Sequence, residues 1–294
     1  MGDSLILRLV AILFPIFGIV AAGYFYARHH KPEMAVANRL NMDVFVPALV
    51  FAAMAGKSFD LVAFAPLALG GFLVLASCGL LAWPIARLVG IQPKTLVPPM
   101  LFNNSGNIGL PLAVLAWGED ALPAAVILFM VENTLHFSFG ARLLDPTTRL
   151  LTLWRVPVVF AAIAGLTVAT LKFPIWQPLV MAIKMLGDVS VPLLLFSLGV
   201  RMTDVSFSEW KVATGSALLR PLAGMLIAVG VIQLLGLQGR EAAMLLVFGA
   251  LPPAVLNFLF AERYKQEPQR VASIVLIGNL AALIFLPLAL ALVL

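Results

Sequence analysis

Residues Asn103-Asn104-Ser105-Gly106-Asn107-Ile108-Gly109-Leu110-Pro111 set three amides, two glycines and a proline inside an otherwise apolar stretch. Such a run cannot form an ideal helix, because proline removes a backbone donor and glycine relaxes the chain. In an apolar setting, freed N–H and C=O groups persist only where they are buried in protein or line a cavity. A second interruption, Leu251-Pro252-Pro253, lies in another apolar stretch. A half-helix that starts after such a break presents free N–H groups and partial positive charge, a setting suited to a carboxylate. Asn103, Asn104, Gly106, Asn107, Pro111, Pro252, Pro253 and Asn257 are therefore the candidate substrate-binding residues. The alternative is a pair of kinks that only shape packing.

A further set of polar residues interrupts apolar stretches: Glu132, Asn133 and His136, then Asp188, Arg220 and Asn279. Ionisable groups at membrane depth are costly and are functional candidates by default. Glu132 and His136 are four residues apart and share a helix face. They could carry a coupling proton, contribute oxygens to a Na⁺ site near Glu132 and Asn133, or form a structural cluster. Arg220 could balance the charge of an anion or pair structurally with Glu132. Asp43 and Asp188 each follow a cation by four residues, Arg39 and Lys184, which favours local ion pairs. Asn257 and Asn279 could line the site or bond between helices.

The elements that position these residues are membrane spans. Of 294 residues, 62% are hydrophobic and 11% charged, against roughly 45–50% and 25% in soluble domains. That excludes an ordinary soluble enzyme, a disordered chain and a disulfide scaffold. The net charge of +5 is too dilute for nucleic-acid binding. With about 20 apolar residues per span, ten spans are expected: Leu5–Ala27, Leu40–Ala55, Phe64–Leu88, Leu96–Trp117, Leu122–Leu143, Leu153–Leu171, Pro178–Val200, Val212–Leu235, Ala242–Ala261 and Val271–Leu294. The first lacks the features of a cleaved signal peptide. Thirteen Lys/Arg fall in odd-numbered connections; only Arg8, Lys57, Lys172 and Arg240 fall on the other side. By the positive-inside rule both termini should be extracytoplasmic.

The chain also repeats itself. Asp43-Val44-Phe45-Val46-Pro47 and Asp188-Val189-Ser190-Val191-Pro192 lie 145 residues apart, and Asn133 matches Asn279 near that offset. The offset covers five spans, an odd number, so the second copy should enter the membrane from the opposite side. Inverted repeats with breaks at corresponding places are a pattern of secondary transporters. The expected fold is all-α: ten transmembrane helices as two inverted five-helix repeats, 1–149 and 150–294, with helices four and nine broken and crossed.

Asn107-Ile108-Gly109-Leu110-Pro111-Leu112, Lys184-Met185-Leu186-Gly187-Asp188, Leu195-Phe196-Ser197-Leu198-Gly199, Leu251-Pro252-Pro253 and Phe260-Ala261-Glu262-Arg263-Tyr264 resemble the auxin efflux carrier family, which includes plant carriers and bacterial organic-acid permeases. The resemblance implies a scaffold, often dimeric, of spans one, two, six and seven. It implies a transport domain of spans three to five and eight to ten, moving organic acid anions. The family's carboxylate-binding asparagine falls on Asn104, and its crossover prolines on Pro111 and on Pro252 or Pro253. Family members often carry a neutral amide where this chain has Glu132.

The expected activity is secondary transport of small organic acid anions, coupled to H⁺ or Na⁺, in a homodimer in a bacterial inner membrane. An uncoupled uniporter and a non-transporting sensor are the alternatives. An intramembrane enzyme would need a nucleophile–base pair or metal ligands; no such motif is present and no cofactor is expected.

Overall fold

The computed structural model describes residues 4–55, 61–147, 156–203 and 209–294. Lys57, Arg149 and Arg155 of the charge count, the expected start of span six at Leu153, and the expected boundary between the two halves lie outside the described residues. The described residues form an all-helical protein whose only extended pairing is a single β-bridge.

Among the described residues there are twelve helical segments. They are α1 (Leu5–His30), α2 (Ala35–Met54), α3 (Leu61–Leu88), α4 (Pro93–Leu101), α5 (Ser105–Trp117), α6 (Glu119–Leu144), α7 (Pro157–Leu171), α8 (Gln177–Arg201), α9 (Trp210–Leu235), α10 (Gly239–Ala250), α11 (Leu256–Arg263) and α12 (Pro268–Ala291). Seven of them, α1, α2, α3, α6, α8, α9 and α12, are long and apolar enough to cross a membrane. The stretches expected as spans four and nine are each divided in two, into α4 and α5 and into α10 and α11. Large apolar side chains such as Phe14, Val62, Leu80, Leu226 and Ile284 point outward. A shell of that kind is stable against lipid rather than water, and the chain is an integral membrane protein.

The ends follow local chemistry. The Ser4 hydroxyl accepts from the Leu7 N–H at the start of α1. The same helix closes on Lys31 with φ 45° and carries Arg28, His29 and His30 in its last turn, where cations suit the negative end of the helix dipole. Three single π-helical turns interrupt the α-helices: Asn41–Phe45 in α2, Ser105–Gly109 in α5 and His136–Gly140 in α6.

The first π turn corrects one expectation. Lys184 and Asp188 do pair, at 3.1 Å, and Glu119 lies 3.9 Å from the same lysine. Among the described residues no ion pair joins Arg39 to Asp43. A π turn aligns residues five apart rather than four, so it takes Asp43 off the face that an unbroken α-helix would share with Arg39.

Packing divides the helices into two groups. In one, α8 lies against α1 and α2, and α2 against α7; in the other, α9 lies against α3, α10 and α12, and α3 against α4 and α6. Between the groups, α1 touches α5 and α12, the first turn of α5 touches α8, and α2 touches α6. Glycines set the closest approaches. A Cβ at Gly199 in α8 would lie 1.9 Å from the Val20 carbonyl oxygen of α1. A Cβ at Gly224 in α9 would lie 2.0 Å from the Gly249 carbonyl oxygen of α10. Membrane helices associate by such backbone-to-backbone contact, because lipid tails are as apolar as leucine. Gly199→Ala is therefore expected to lower stability by about 1–3 kcal/mol. Gly18→Ala in α1, where a Cβ meets nothing within 4 Å, should be neutral or stabilising by up to about 1 kcal/mol. Thermal unfolding of the two variants in detergent checks the contrast.

Candidate functional site: the crossing of two broken helices

The second break has a simple local cause. Pro252 disfavours the α conformation at Leu251, which adopts φ −59° and ψ 140°, and α10 ends at Ala250. The first break falls where Asn, Ser and Gly, all weak in helix interiors, follow one another. Phe102 is extended there, at φ −92° and ψ 118°, and Asn104 precedes α5 at φ −85° and ψ 52°.

The two extended pieces cross and pair antiparallel, Asn103 opposite Pro253. The Asn104 N–H donates to the Pro252 carbonyl at 2.7 Å, and the Ala254 N–H donates to the Phe102 carbonyl at 3.0 Å. Side chains also donate to carbonyls at the helix ends. Asn257 Nδ2 donates to Phe102 O at 3.1 Å, Asn103 Nδ2 to Phe248 O at 2.8 Å, and Arg220 Nη1 to Gly249 O at 2.8 Å. Asn279 Nδ2 donates to Pro253 O at 3.0 Å, while its Oδ1 accepts from Asn104 Nδ2 at 2.9 Å. All of these side chains are buried.

Glu132 sits behind the crossing. His136 Nδ1 lies 2.9 Å from Glu132 Oε1, and Oε2 accepts from Asn133 Nδ2 at 3.1 Å and from the Ser105 hydroxyl at 3.4 Å. The His136 ring stacks on Phe102, with centroids 4.1 Å apart and planes 9° apart, and meets the edge of Phe260. The carboxylate–imidazole pair is thus in contact with the break residue itself.

A cavity of about 310 Å³ opens beside the crossing. Of the expected residues, Asn103, Asn104, Gly106, Asn107, Glu132 and Asn133 line it. Gly106 and Asn107 belong to the first turn of α5, and Ala254, Val255 and Leu256 lead into α11, so the N-terminal ends of both half-helices face the same space. The first N–H groups of a helix have no partner within it, and residues of both helix starts line the cavity.

The other expected residues lie elsewhere. Pro252 and Pro253 form the crossing strand; Asn257 and Asn279 brace it; His136 stands behind Glu132. Arg220 is fully buried at the C-terminal end of α10, where a cation offsets the negative end of the half-helix, and no ion pair joins it to Glu132 among the described residues. Pro111 and Asp188 line a different cavity of about 430 Å³, with Glu119 and Lys184. Five polar residues of the first cavity were not singled out from sequence for this site: Asn38, Arg39, Asn41, Ser197 and Arg201. Arg39 and Arg201 stand near span ends, where basic residues are ordinarily topology signals, and a lone serine or asparagine is too common to flag.

Two interrupted helices paired at their breaks in an all-helical membrane chain are a pattern found in membrane transport proteins. Residues 142–290 match the family model described as "Membrane transport protein", and the chain belongs to that family, the auxin efflux carriers. It is 26% identical over 177 residues to "Auxin efflux carrier component 6" of Arabidopsis thaliana, a match covering 58% of this chain and 29% of the plant protein. The chain thus spans less than a third of the length of that relative. It is 24% identical over 304 residues to the "Putative malonate transporter" of Rhizobium meliloti (strain 1021), covering 93% of this chain and 92% of that protein. It is also 24% identical over 308 residues to an "Uncharacterized transporter" of Methanothermobacter thermautotrophicus, covering 97% and 94%.

Asn279→Ala removes the donor to Pro253 O and leaves Asn104 Nδ2 without its acceptor. It is expected to destabilise the protein by about 1–3 kcal/mol, read as a lower melting temperature in detergent.

Proposed function

We propose that the chain carries small organic acid anions across the membrane by alternating access, with a carboxylate bound at the crossing. The observation that carries this reading is the convergence of two half-helix N-termini and the amides of Asn104 and Asn107 on one cavity. Partial positive charge and free N–H groups at helix N-termini stabilise a carboxylate. Gly106 matters for access: a Cβ there would lie 2.9 Å from the Phe129 ring. Asn103, Pro252, Pro253 and Asn257 shape the site by holding the crossing strands, and Pro111 continues α5 away from it.

The mechanism we infer moves α3–α6 and α9–α12 as a transport domain against a scaffold of α1, α2, α7 and α8, the two groups seen in the packing. Ten spans in two inverted repeats fit the element order. An offset of 145 carries Leu61–Leu88 to 206–233, against Trp210–Leu235, and Pro93–Leu101 to 238–246, against Gly239–Ala250. Asn133 and Asn279 behave alike, each donating to the carbonyl four residues earlier, at 3.1 Å and 2.7 Å. The charge bias supports a bacterial inner membrane with the termini outside, and a homodimer through the scaffold completes the reading.

Glu132, with His136 and Asn133, is the proposed coupling centre for H⁺ or Na⁺. Its contact with Phe102 through His136 gives a titration or an ion a direct mechanical route to the crossing. Arg220, Asn279 and Asp188 act in this reading on charge balance and bracing. Uptake of radiolabelled carboxylates into proteoliposomes tests it. Asn104→Ala is expected to cut uptake by about tenfold or more, the cost of one lost hydrogen bond to a charged group. Glu132→Gln should abolish the response to an imposed Na⁺ or pH gradient. Wild-type uptake from folded, inserted Asn104→Ala and Asn107→Ala would refute the site. Flux that ignores both gradients would assign Glu132 a structural role in a uniporter.

A further inference from the structure

We propose that protons reach Glu132 through a narrow crevice behind the crossing, from the membrane face opposite the substrate cavity, so that the coupling ion is H⁺. The inference rests on the reading of Glu132 as the coupling centre and gives that group a route of its own.

The crevice lies inside one helix group, between α5, α6 and α10. Ser105, Gly109, Ala113 and Trp117 line it along α5, together with Leu128 of α6 and Val247 of α10. Those four residues of α5 cover about 18 Å of helix. Ser105 at the inner end is buried, and Trp117 at the outer end is half-buried beside exposed Gly118. The absence of a side chain at Gly109 keeps the middle open, since a Cβ there would lie 3.1 Å from Leu251 Cδ1.

Ser105 links the crevice to the coupling centre. Its hydroxyl donates to Glu132 Oε2 at 3.4 Å, and Glu132 itself lines the substrate cavity. The carboxylate thus has a contact with each space. In the orientation proposed above, the two spaces lead to opposite faces. Trp117 precedes the connection at 118–121, on the extracytoplasmic side, while Arg39 and Arg201 of the substrate cavity stand at cytoplasmic span ends. A group that exchanges protons with one side and meets the substrate from the other is what coupling requires. The other charged or titratable groups around Glu132 are His136 on α6, which holds Oε1, Arg220 on α9, with Cys78 of α3 near it, and Arg39 and Arg201 across the cavity. None of them lines the crevice, so Ser105 is its contact with Glu132.

Size and lining select the ion. The crevice has a volume of about 20 Å³, room for about one water. A metal cation would need several oxygens in place of its hydration shell, and Ser105 supplies the one side-chain oxygen of the lining. A proton needs only a relay. A hydronium ion in the crevice gives a proton to Ser105 Oγ while the hydroxyl's own proton passes to Glu132 Oε2. Water, an intact serine and a neutral carboxyl result.

The test uses proteoliposomes of the whole chain and a radiolabelled carboxylate that it carries, malonate first. Two rates are read for each protein: accumulation driven by a pH gradient, and exchange of internal for external substrate at equal pH. Exchange lets the carrier shuttle without releasing its proton. Ala113→Leu, which fills the crevice, is expected to cut pH-driven accumulation by about tenfold or more and to leave exchange near the wild-type rate. Ser105→Ala, which removes the relay, should lower the ratio of accumulation to exchange as far; the ratio cancels partial misfolding. An unchanged ratio in both variants overturns the crevice and leaves Glu132 as the coupling centre. Wild-type uptake that follows a Na⁺ gradient alone overturns it too, with the transport reading standing. Uptake that ignores both gradients, or no uptake, overturns the coupling reading and the crevice together.

Discussion

A carbonyl oxygen at the end of an interrupted helix must find a donor inside the protein when the surroundings are hydrocarbon. The site follows from how that constraint is met. Breaking one helix at 102–104 and another at 251–254 frees backbone groups at both, and each break supplies the donors the other lacks. Neither extended segment is stable alone at that depth. The antiparallel pairing of Asn103 with Pro253 is therefore the joint on which α4, α5, α10 and α11 all depend.

The asymmetry of the joint creates the chemistry. Helix C-termini at the crossing are closed off: Phe102 O, Phe248 O and Gly249 O all have side-chain donors, from Asn257, Asn103 and Arg220. Residues at the helix N-termini, Gly106, Asn107, Val255 and Leu256, line the cavity. Asn103, Asn257, Asn279 and the fully buried Arg220 donate to backbone carbonyls, while the start of a helix carries unpaired N–H groups and partial positive charge. An anion is the ligand that such a surface favours. Arg220 serves this balance from behind, at the negative end of α10, without lining the cavity.

The surroundings show how the crossing can be both rigid and responsive. Rigid contact comes from glycines that let backbones touch, Gly224 with Gly249 in one helix group and Gly199 with Val20 in the other. Responsiveness has a physical candidate in the stack of His136 on Phe102, since Phe102 carries the carbonyl that both Ala254 and Asn257 engage. Two of the three π-helical turns, in α2 and α5, contribute residues to the cavity, and the third begins at His136. Such turns place a side chain off the regular helical face. Here they turn polar residues toward a space that regular helices would line differently.

Much of the candidate site was legible in the sequence. Amides, glycines and prolines inside apolar stretches have few other uses at membrane depth, so Asn103, Asn104, Gly106, Asn107, Pro252 and Pro253 stood out from their neighbours alone. The membrane class and the division of two helices were readable for the same local reason: hydropathy and proline act over a few residues. The partners were not readable. That Asn104 meets Asn279, or that Arg220 serves Gly249 rather than Glu132, depends on helices 29 to 175 residues apart in sequence. The loss of an Arg39–Asp43 pair depends on a π turn that no pattern of residue types announces. Arg39 and Arg201 read as topology signals until two helices brought them to one cavity. Composition and local backbone chemistry determined what this chain is and where its helices fail. Long-range packing decided which freed groups satisfy one another and which remain for a ligand, because a hydrogen bond between distant segments has no signature until both are in place.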